Sequence, residues 1–366
     1  MRLIGAIFGL ILILVILRDT FETIILPRRV TRRIKLTNVF YSSIWVPWSM
    51  FVRHISNGQR REKSLGLFGP LSLLILLGFW ALGLILGYAL LLWAANAKLS
   101  STAESITFST YLYLSGVTFF TLGYGDIAPV FPLGRVLAVI EAGNGFGLFA
   151  IVISYLPILY QAFSRREASI SLLDARAGSP SSAVELLRRH RAEDSFDDLN
   201  RLLSEWERWS AELLESHLSY PVLCYFRSQH DNQSWLRALT TVLDTCALVM
   251  VGVEGAPIWQ ARMTFAMARH AVVDIAQVFR TAPSAPESCG GRLTSVELSR
   301  LRGILTKNGI QLPAGEETER RLCELRMMYE PYVFALAEWL MMPLPPWILP
   351  PDAIDNWKTS AWGRIQ

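Results

Sequence analysis

The sequence is poor in the residues that build metal and redox sites. It has four cysteines and five histidines in 366 residues. All four cysteines (Cys224, Cys246, Cys289, Cys323) fall in the second half, with no C-x-x-C pair and no zinc-ligand spacing. Nothing in their spacing requires disulfides, which fits a reducing compartment. The histidines show no metal-ligand spacing either, so no cofactor is expected. A dinucleotide or calcium sensor would need a strand followed by G-x-G-x-x-G, and none is present. Runs of alternating strands, as a cyclic-nucleotide β-roll requires, are missing too. No nucleophile–base pair or phosphate loop occurs, so an enzyme is not expected. The net charge of +4 is too modest to suggest a nucleic-acid partner. The most telling absence is local: no charged residue occurs from Ser64 to Ala97.

That uncharged stretch contains Leu71 to Ala95, ample for the roughly 20 residues that cross a hydrocarbon core. A second apolar stretch runs from Val136 to Phe163, and its one charge is Glu141. A carboxylate is costly in lipid, so Glu141 is expected to face protein or water. Leu3 to Leu26 is a third candidate, interrupted by Arg18, Asp19 and Glu22. A signal peptide is the rival reading there, but no clear small-x-small cleavage site follows the apolar core. Arg28, Arg29, Arg32, Arg33 and Lys35 follow this segment, and Arg53, Arg60, Arg61 and Lys63 precede the next. Positive-inside bias puts this linker in the cytoplasm, the N-terminus outside, and residues 97–133 outside. Arg165 and Arg166 after the third span agree. These arginines are a topology signal; they lack the every-third-residue placement inside a membrane helix that a voltage sensor needs. Trp45 and Trp48 in the linker suggest an interfacial helix.

Between the second and third spans, Ser101 to Glu104 matches a capping box, with Ser105 as another start. The helix-compatible segment to Phe119 is too short to span with loops on both sides, so it reads as re-entrant. Thr121-Leu122-Gly123-Tyr124-Gly125-Asp126 follows. Passing a dehydrated cation requires oxygens in place of its water, and backbone carbonyls aimed at one axis can supply them. An ordinary extended chain alternates its carbonyls between two sides. Gly123 and Gly125 can take positive φ and so turn successive carbonyls the same way. Thr121 adds a hydroxyl at the inner end, and Tyr124 is expected to point away and brace the loop from behind. The pore helix aims its negative C-terminal end at the cavity.

The run Thr118-x-x-Thr121-x-Gly123-Tyr124-Gly125-Asp126, set between two spans, resembles the potassium-channel pore-loop family. The resemblance covers about Leu71 to Pro157. It implies that Thr121, Leu122, Gly123 and Tyr124 coordinate potassium ions, with Gly125, Asp126 and Thr118 in support. Leu122 replaces the more usual valine, which changes packing but not the carbonyl. Family geometry further implies a homotetramer, each chain joined by three identical subunits. By resemblance Gly145 lies where the inner helix bends in gating; close helix packing through Gly143 and Gly147 is the alternative. The family's usual pore-helix glutamate is replaced here by Val117. Glu141 is the proposed substitute, reaching the filter's rear or pairing with Asn144 or Ser115; a cavity-facing carboxylate is the alternative. Pro157 is expected to end or kink the inner helix. Leu156 and Tyr160 are candidate constriction residues beside it, with an ordinary helix stop as the alternative.

The expected fold is thus an all-α membrane protein. Residues 1–26 form an N-terminal transmembrane helix and 27–64 a basic cytoplasmic linker. Residues 65–163 form the pore domain, with outer helix 67–95, pore helix 105–119, filter 121–126 and inner helix 134–160. Residues 164–366 form a helical cytosolic domain. Its apolar spacing gives helices over 182–191, 196–217, 234–251, 257–280, 295–308 and 316–341, and its tail, 343–351, is proline-rich. Arg188 to Arg191 reads as a solvated helix face, with an anionic lipid or ligand site as the alternative. Trp206, Trp209, Trp235 and Trp259 read as core or subunit contacts. The expected function is passive, potassium-selective conduction across the cell membrane, amid membrane lipids, with an unidentified cytosolic ligand left open. Its alternatives are a poorly selective cation channel and a membrane-anchored helical sensor with a vestigial pore.

Overall fold

The computed structural model describes residues 1–26, 36–101, 106–191, 196–230, 232–281, 283 and 291–350. The capping box at 101–104, the arginines between 28 and 33, Lys35 and Cys289 lie at least in part outside the described residues. The chain divides into two compact units, 1–160 and 161–366. Both are helical. Among the described residues, three helices are long and apolar enough to cross a membrane, by length and composition.

In the first unit, α1 (Arg2–Thr20) ends in a wider turn over Phe21–Ile25. It packs along α3 (Gly58–Ala94). Glycines permit the approach: a methyl on Gly9 would lie 2.7 Å from the Gly87 carbonyl, and one on Gly83 would lie 2.1 Å from Ile16 Cδ1. Small residues let apolar helices close on each other where no hydrophobic drive acts between them. As the number rises along α1, its partner falls along α3: Gly5 faces Trp93, Gly9 faces Gly87, and Asp19 reaches Trp80. The helices are therefore antiparallel.

Asp19, the residue that weakened the N-terminal segment as a span, is buried and fully occupied. Its Oδ1 accepts from the Thr37 backbone N–H at 3.2 Å. Its Oδ2 accepts from the Thr37 hydroxyl at 2.7 Å and from Trp80 Nε1 at 2.9 Å. Thr37 is in the first turn of α2 (Leu36–Arg53), so Asp19 caps a helix other than its own. Helix α2 lies against α3 through Trp45 and Trp48, which stack on Phe68.

Helix α3 begins at Gly58, nine residues before the expected 67. The Asn57 side chain accepts from the Arg60 N–H at 3.1 Å and so starts the helix before the apolar run begins. Arg60, Arg61 and Lys63 therefore sit in the first turns of a helix. The pore helix α4 (Phe108–Phe119) starts three residues later than expected. Thr107 and Thr110 form its capping box. Two short strands flank the pore loop, an exception to the all-α expectation. β1 (Leu99–Ser101) pairs antiparallel with β2 (Ile127–Pro129), with Ser100 opposite Ala128. Arg135 Nε donates to the Pro129 carbonyl at 3.2 Å, which ties this ladder to the start of α5 (Pro132–Ala177).

Helix α5 corrects the expected inner helix of 134–160. It continues through Pro157 to Ala177. Proline removes one i→i−4 donor, but a helix can bridge the gap. Ser154 Oγ donates to the Ala150 carbonyl at 3.0 Å within this stretch.

The second unit holds the C-terminal turns of α5, α6 (Ala183–Arg189), α7 (Asp197–Ser219), α8 (Trp235–Met250), α9 (Ile258–Phe279), α10 (Ser295–Lys307), α11 (Glu316–Met327) and α12 (Glu330–Leu340). Helix α8 is buried from Trp235 to Val249 and is packed by α6, α7, α9, α11 and α12. The expected single helix 316–341 breaks at Met328–Tyr329, and Pro331 opens α12. Two buried carboxylates, Asp244 and Glu330, are met by Arg292, and Glu330 also by Arg326. Tyr329 donates to Asp244 Oδ1 at 2.5 Å. Arg292 also donates to the Pro345 carbonyl at 2.9 Å, and Trp347 stacks against Arg292 and Arg326. The proline-rich stretch is thereby fastened to this helical core.

Arg166 is buried and belongs to this unit's core, not to a headgroup-facing cluster. It donates to the carbonyls of Leu223 and Phe226, each at 2.8 Å. Trp206, Trp209 and Trp235 are buried, but Trp259 is 70% exposed and is not core. The basic cluster is not a uniform solvated face. His190 is buried, Arg188 and Arg189 pair with Glu185, and Arg191 stacks on Phe196. Cys224 and Cys246 are free and buried, whereas Cys323 is disulfide-bonded, a pairing the spacing gives no reason to expect.

Candidate ion pathway

Helix α4 ends in a geometry that starts the expected filter loop. The Leu122 N–H donates to the Val117 carbonyl at 2.9 Å, and the Thr121 N–H to the Thr118 carbonyl at 3.0 Å. This pair of bonds is a Schellman ending, which requires a left-handed residue just past the helix. That residue is Thr121, with φ of 55°. A β-branched residue rarely adopts this conformation. Gly123 and Gly125 follow with φ of 60° and 77°, and neither Leu122 nor Tyr124 between them has positive φ. The loop therefore alternates hands over Thr121 to Gly125. The sequence pointed to the two glycines; the third reversal, at Thr121, comes from the helix ending and was missed.

The filter residues lie together and exposed in the single chain. Leu122 is 53% exposed and Tyr124 69%. Tyr124 thus does not brace the loop against its own chain's core. Asp126 accepts a hydrogen bond from the Tyr113 hydroxyl of α4. Tyr113 was not among the expected supports; it lies one helical turn from Val117 and faces the loop's outer end. Below the loop, Tyr111 and Leu114 of α4 pack with Ala89 and Leu92 of α3 and with Ala97. The Tyr111 hydroxyl donates to the Ala97 carbonyl at 3.1 Å. Thr118 is half-buried within α4.

Glu141 is fully buried in the single chain, which excludes the cavity-facing alternative. Its Oε1 contacts Ser115 Oγ, one of the two partners considered. The other, Asn144, instead donates from Nδ2 to the Tyr88 hydroxyl at 2.5 Å. Among the glycines of α5, Gly143 and Gly147 have open space around them within the chain. It is Gly145 that makes the close approach: a methyl there would lie 2.1 Å from the Phe119 carbonyl oxygen. Leu156 is half-buried, Pro157 and Tyr160 are exposed, and Tyr155 and Leu159 are buried. No group of three or more potential metal-ligating side chains occurs among the described residues.

This arrangement of apolar helix, short helix, hand-alternating loop and apolar helix resembles an ion-channel pore domain. The family model described as "Ion channel" matches residues 74–162. The uncharacterized membrane protein YdjJ of Bacillus subtilis (strain 168) is 24% identical over 193 residues, 52% of this chain and 56% of that protein. Protein LctB of Geobacillus stearothermophilus is 39% identical over 61 residues, 17% of this chain and 40% of that protein. The chain therefore spans about half the length of these curated relatives. No solved structure matches it.

Proposed function

We propose that the chain is one subunit of a homotetrameric, potassium-selective channel that conducts passively, without a cofactor. The observation that carries this reading is the alternation of φ along Thr121-Leu122-Gly123-Tyr124-Gly125. Reversing the hand at every second residue is what lets consecutive carbonyls face one axis, where they replace a potassium ion's hydration shell. One chain supplies one such strand, and a closed ring needs sister copies. Thr121, Leu122, Gly123 and Tyr124 coordinate the ions; Thr118, Gly125, Asp126 and Tyr113 support them. Leu156 and Pro157 lie where α5 leaves the pore domain and are the candidate gate.

The reading includes an orientation. Antiparallel packing of α1 on α3 supports placing the N-terminus on the side of the filter's outer mouth. The basic residues Arg53, Arg60, Arg61 and Lys63 then occupy the opposite, cytoplasmic side, as does the unit 161–366.

The test is flux from liposomes holding the purified full chain under a potassium gradient. Potassium flux that excludes sodium is expected, and Gly123→Ala should abolish selectivity or conduction, since alanine resists positive φ. Equal potassium and sodium flux would mean a poorly selective cation channel, and no flux in any condition a vestigial pore. Selective flux retained by Gly123→Ala would refute the filter assignment.

A further inference from the structure

Three helices of the pore domain meet at one hydroxyl. Ser115 Oγ of α4 lies 2.7 Å from the Ile85 carbonyl oxygen of α3 and also contacts Glu141 Oε1 of α5. All three groups are buried. A serine hydroxyl carries one proton, and a carbonyl oxygen can only accept. The Ser115 proton therefore goes to Ile85, because an O···O contact of 2.7 Å without a proton would be repulsive. The second contact needs a proton of its own, and the only group that can bring it is the Glu141 carboxyl. The rest of the surroundings agree. Tyr88 lies near Glu141, and its hydroxyl accepts from Asn144 Nδ2. No basic side chain pairs with Glu141 among the described residues, and its Oε2 has no partner. An ionised carboxylate buried there would be uncompensated, at a cost of several kcal/mol.

We propose that Glu141 sits in its neutral form and donates to Ser115, which donates to Ile85, so that one proton chain ties α5, α4 and α3 together behind the filter. Glu141 is then a positioning residue. It does not touch the ion but fixes the height of α4, whose last turn sets the start of the filter. Gly145, one turn further along α5, meets the last residue of α4 from the same side. The two contacts locate the pore helix at its middle and at its end.

The inference rests on the channel reading only for its effect on selectivity. Its chemistry is tested separately by infrared spectroscopy of the full chain in lipid near neutral pH. The wild type is expected to show the C=O stretch of a protonated carboxyl, shifted by deuterium exchange and absent from Glu141→Gln. If Glu141→Gln removes no such band, the neutral form is overturned. The functional arm uses the same liposomes. Glutamine can donate from its amide, so Glu141→Gln should keep wild-type potassium-over-sodium selectivity. Glu141→Ala and Ser115→Ala should lower it about three- to tenfold, the range that one net hydrogen bond represents. A Glu141→Gln loss as large as that of Glu141→Ala would overturn the proposal, since it would mean that the charge is required. Should the wild type carry no selective flux, the channel reading fails while the infrared outcome still decides the proton's place.

Discussion

Gly145 has no room for a side chain, and this argues for the packing role of the two that its position allows. A hinge needs a glycine for its freedom, whereas a packing point needs one for its small size. The 2.1 Å clearance to the Phe119 carbonyl oxygen is set by backbone, which cannot swing aside as a side chain can. Gly145→Ala is therefore expected to force α5 away from the end of α4, at a cost of about 1–3 kcal/mol typical of overpacking. Thermal unfolding in detergent should show the loss, along with reduced potassium flux. Unchanged stability with altered gating would return the residue to the hinge. A second residue-scale prediction concerns His217. Its Nδ1 donates to the Leu213 carbonyl and its Nε2 accepts from Arg166. Burial first, and then the nearby Arg166, hold its pKa well below the usual histidine value. His190 is shifted the same way, chiefly by burial. The unfolded chain thus binds protons that the folded chain does not, and stability is lost as pH falls through the unfolded value of about 6.5. Unfolding temperature measured from pH 8 to pH 5 should decline below that point, and more gently in His217→Asn. An equal slope in the variant would show that another group controls it.

At the scale of elements, the short helix ending at Phe119 and the glycine-built turn after it were legible because their signals are local. The run from Thr118 to Asp126 states its own turns, and the absence of charge from Ser64 to Ala97 states a span. What was not legible depends on partners distant in sequence. Asp19 reads as a flaw in a membrane helix until its three donors on Thr37 and Trp80 are seen. Pro157 reads as a stop, yet α5 runs on, because one missing donor in a long helix is a small loss beside the packing of Tyr155 and Leu159 around it. For Glu141 the sequence named Ser115 as one of two polar partners, with a cavity-facing carboxylate as the alternative; the Ile85 carbonyl that shares the Ser115 hydroxyl was not legible. The Asp19 contacts carry a prediction. Asp19→Ala leaves Trp80 Nε1 and the Thr37 N–H without an acceptor, and each buried unsatisfied donor costs about 1–3 kcal/mol. The variant should release α2 from α1, seen as faster proteolysis between residues 27 and 57 in proteoliposomes. Protection equal to the wild type would mean that the cap does not hold α2.

At the scale of the whole molecule, the exposed faces of α4 and α5 bear on the proposed assembly of several chains. Phe120, Leu122, Tyr124, Val139 and Phe146 are exposed large apolar residues on or beside the ion path. In a chain whose other faces pack α1 on α3 and α4 on α3, the proposed tetramer would cover these surfaces with sister copies. Tyr124 is the sharpest case. At 69% exposure it contributes little to the core of its own subunit, so in the proposed assembly its contacts are with another chain. Tyr124→Ala should therefore leave the helical content and unfolding of the isolated subunit unchanged while weakening assembly. Mass measurement of detergent complexes should find four chains for the wild type and smaller species for the variant as concentration falls. A variant that unfolds as a subunit would place Tyr124 in its own core after all. A wild type that stays monomeric at every concentration would remove the ring of carbonyls on which selective conduction depends.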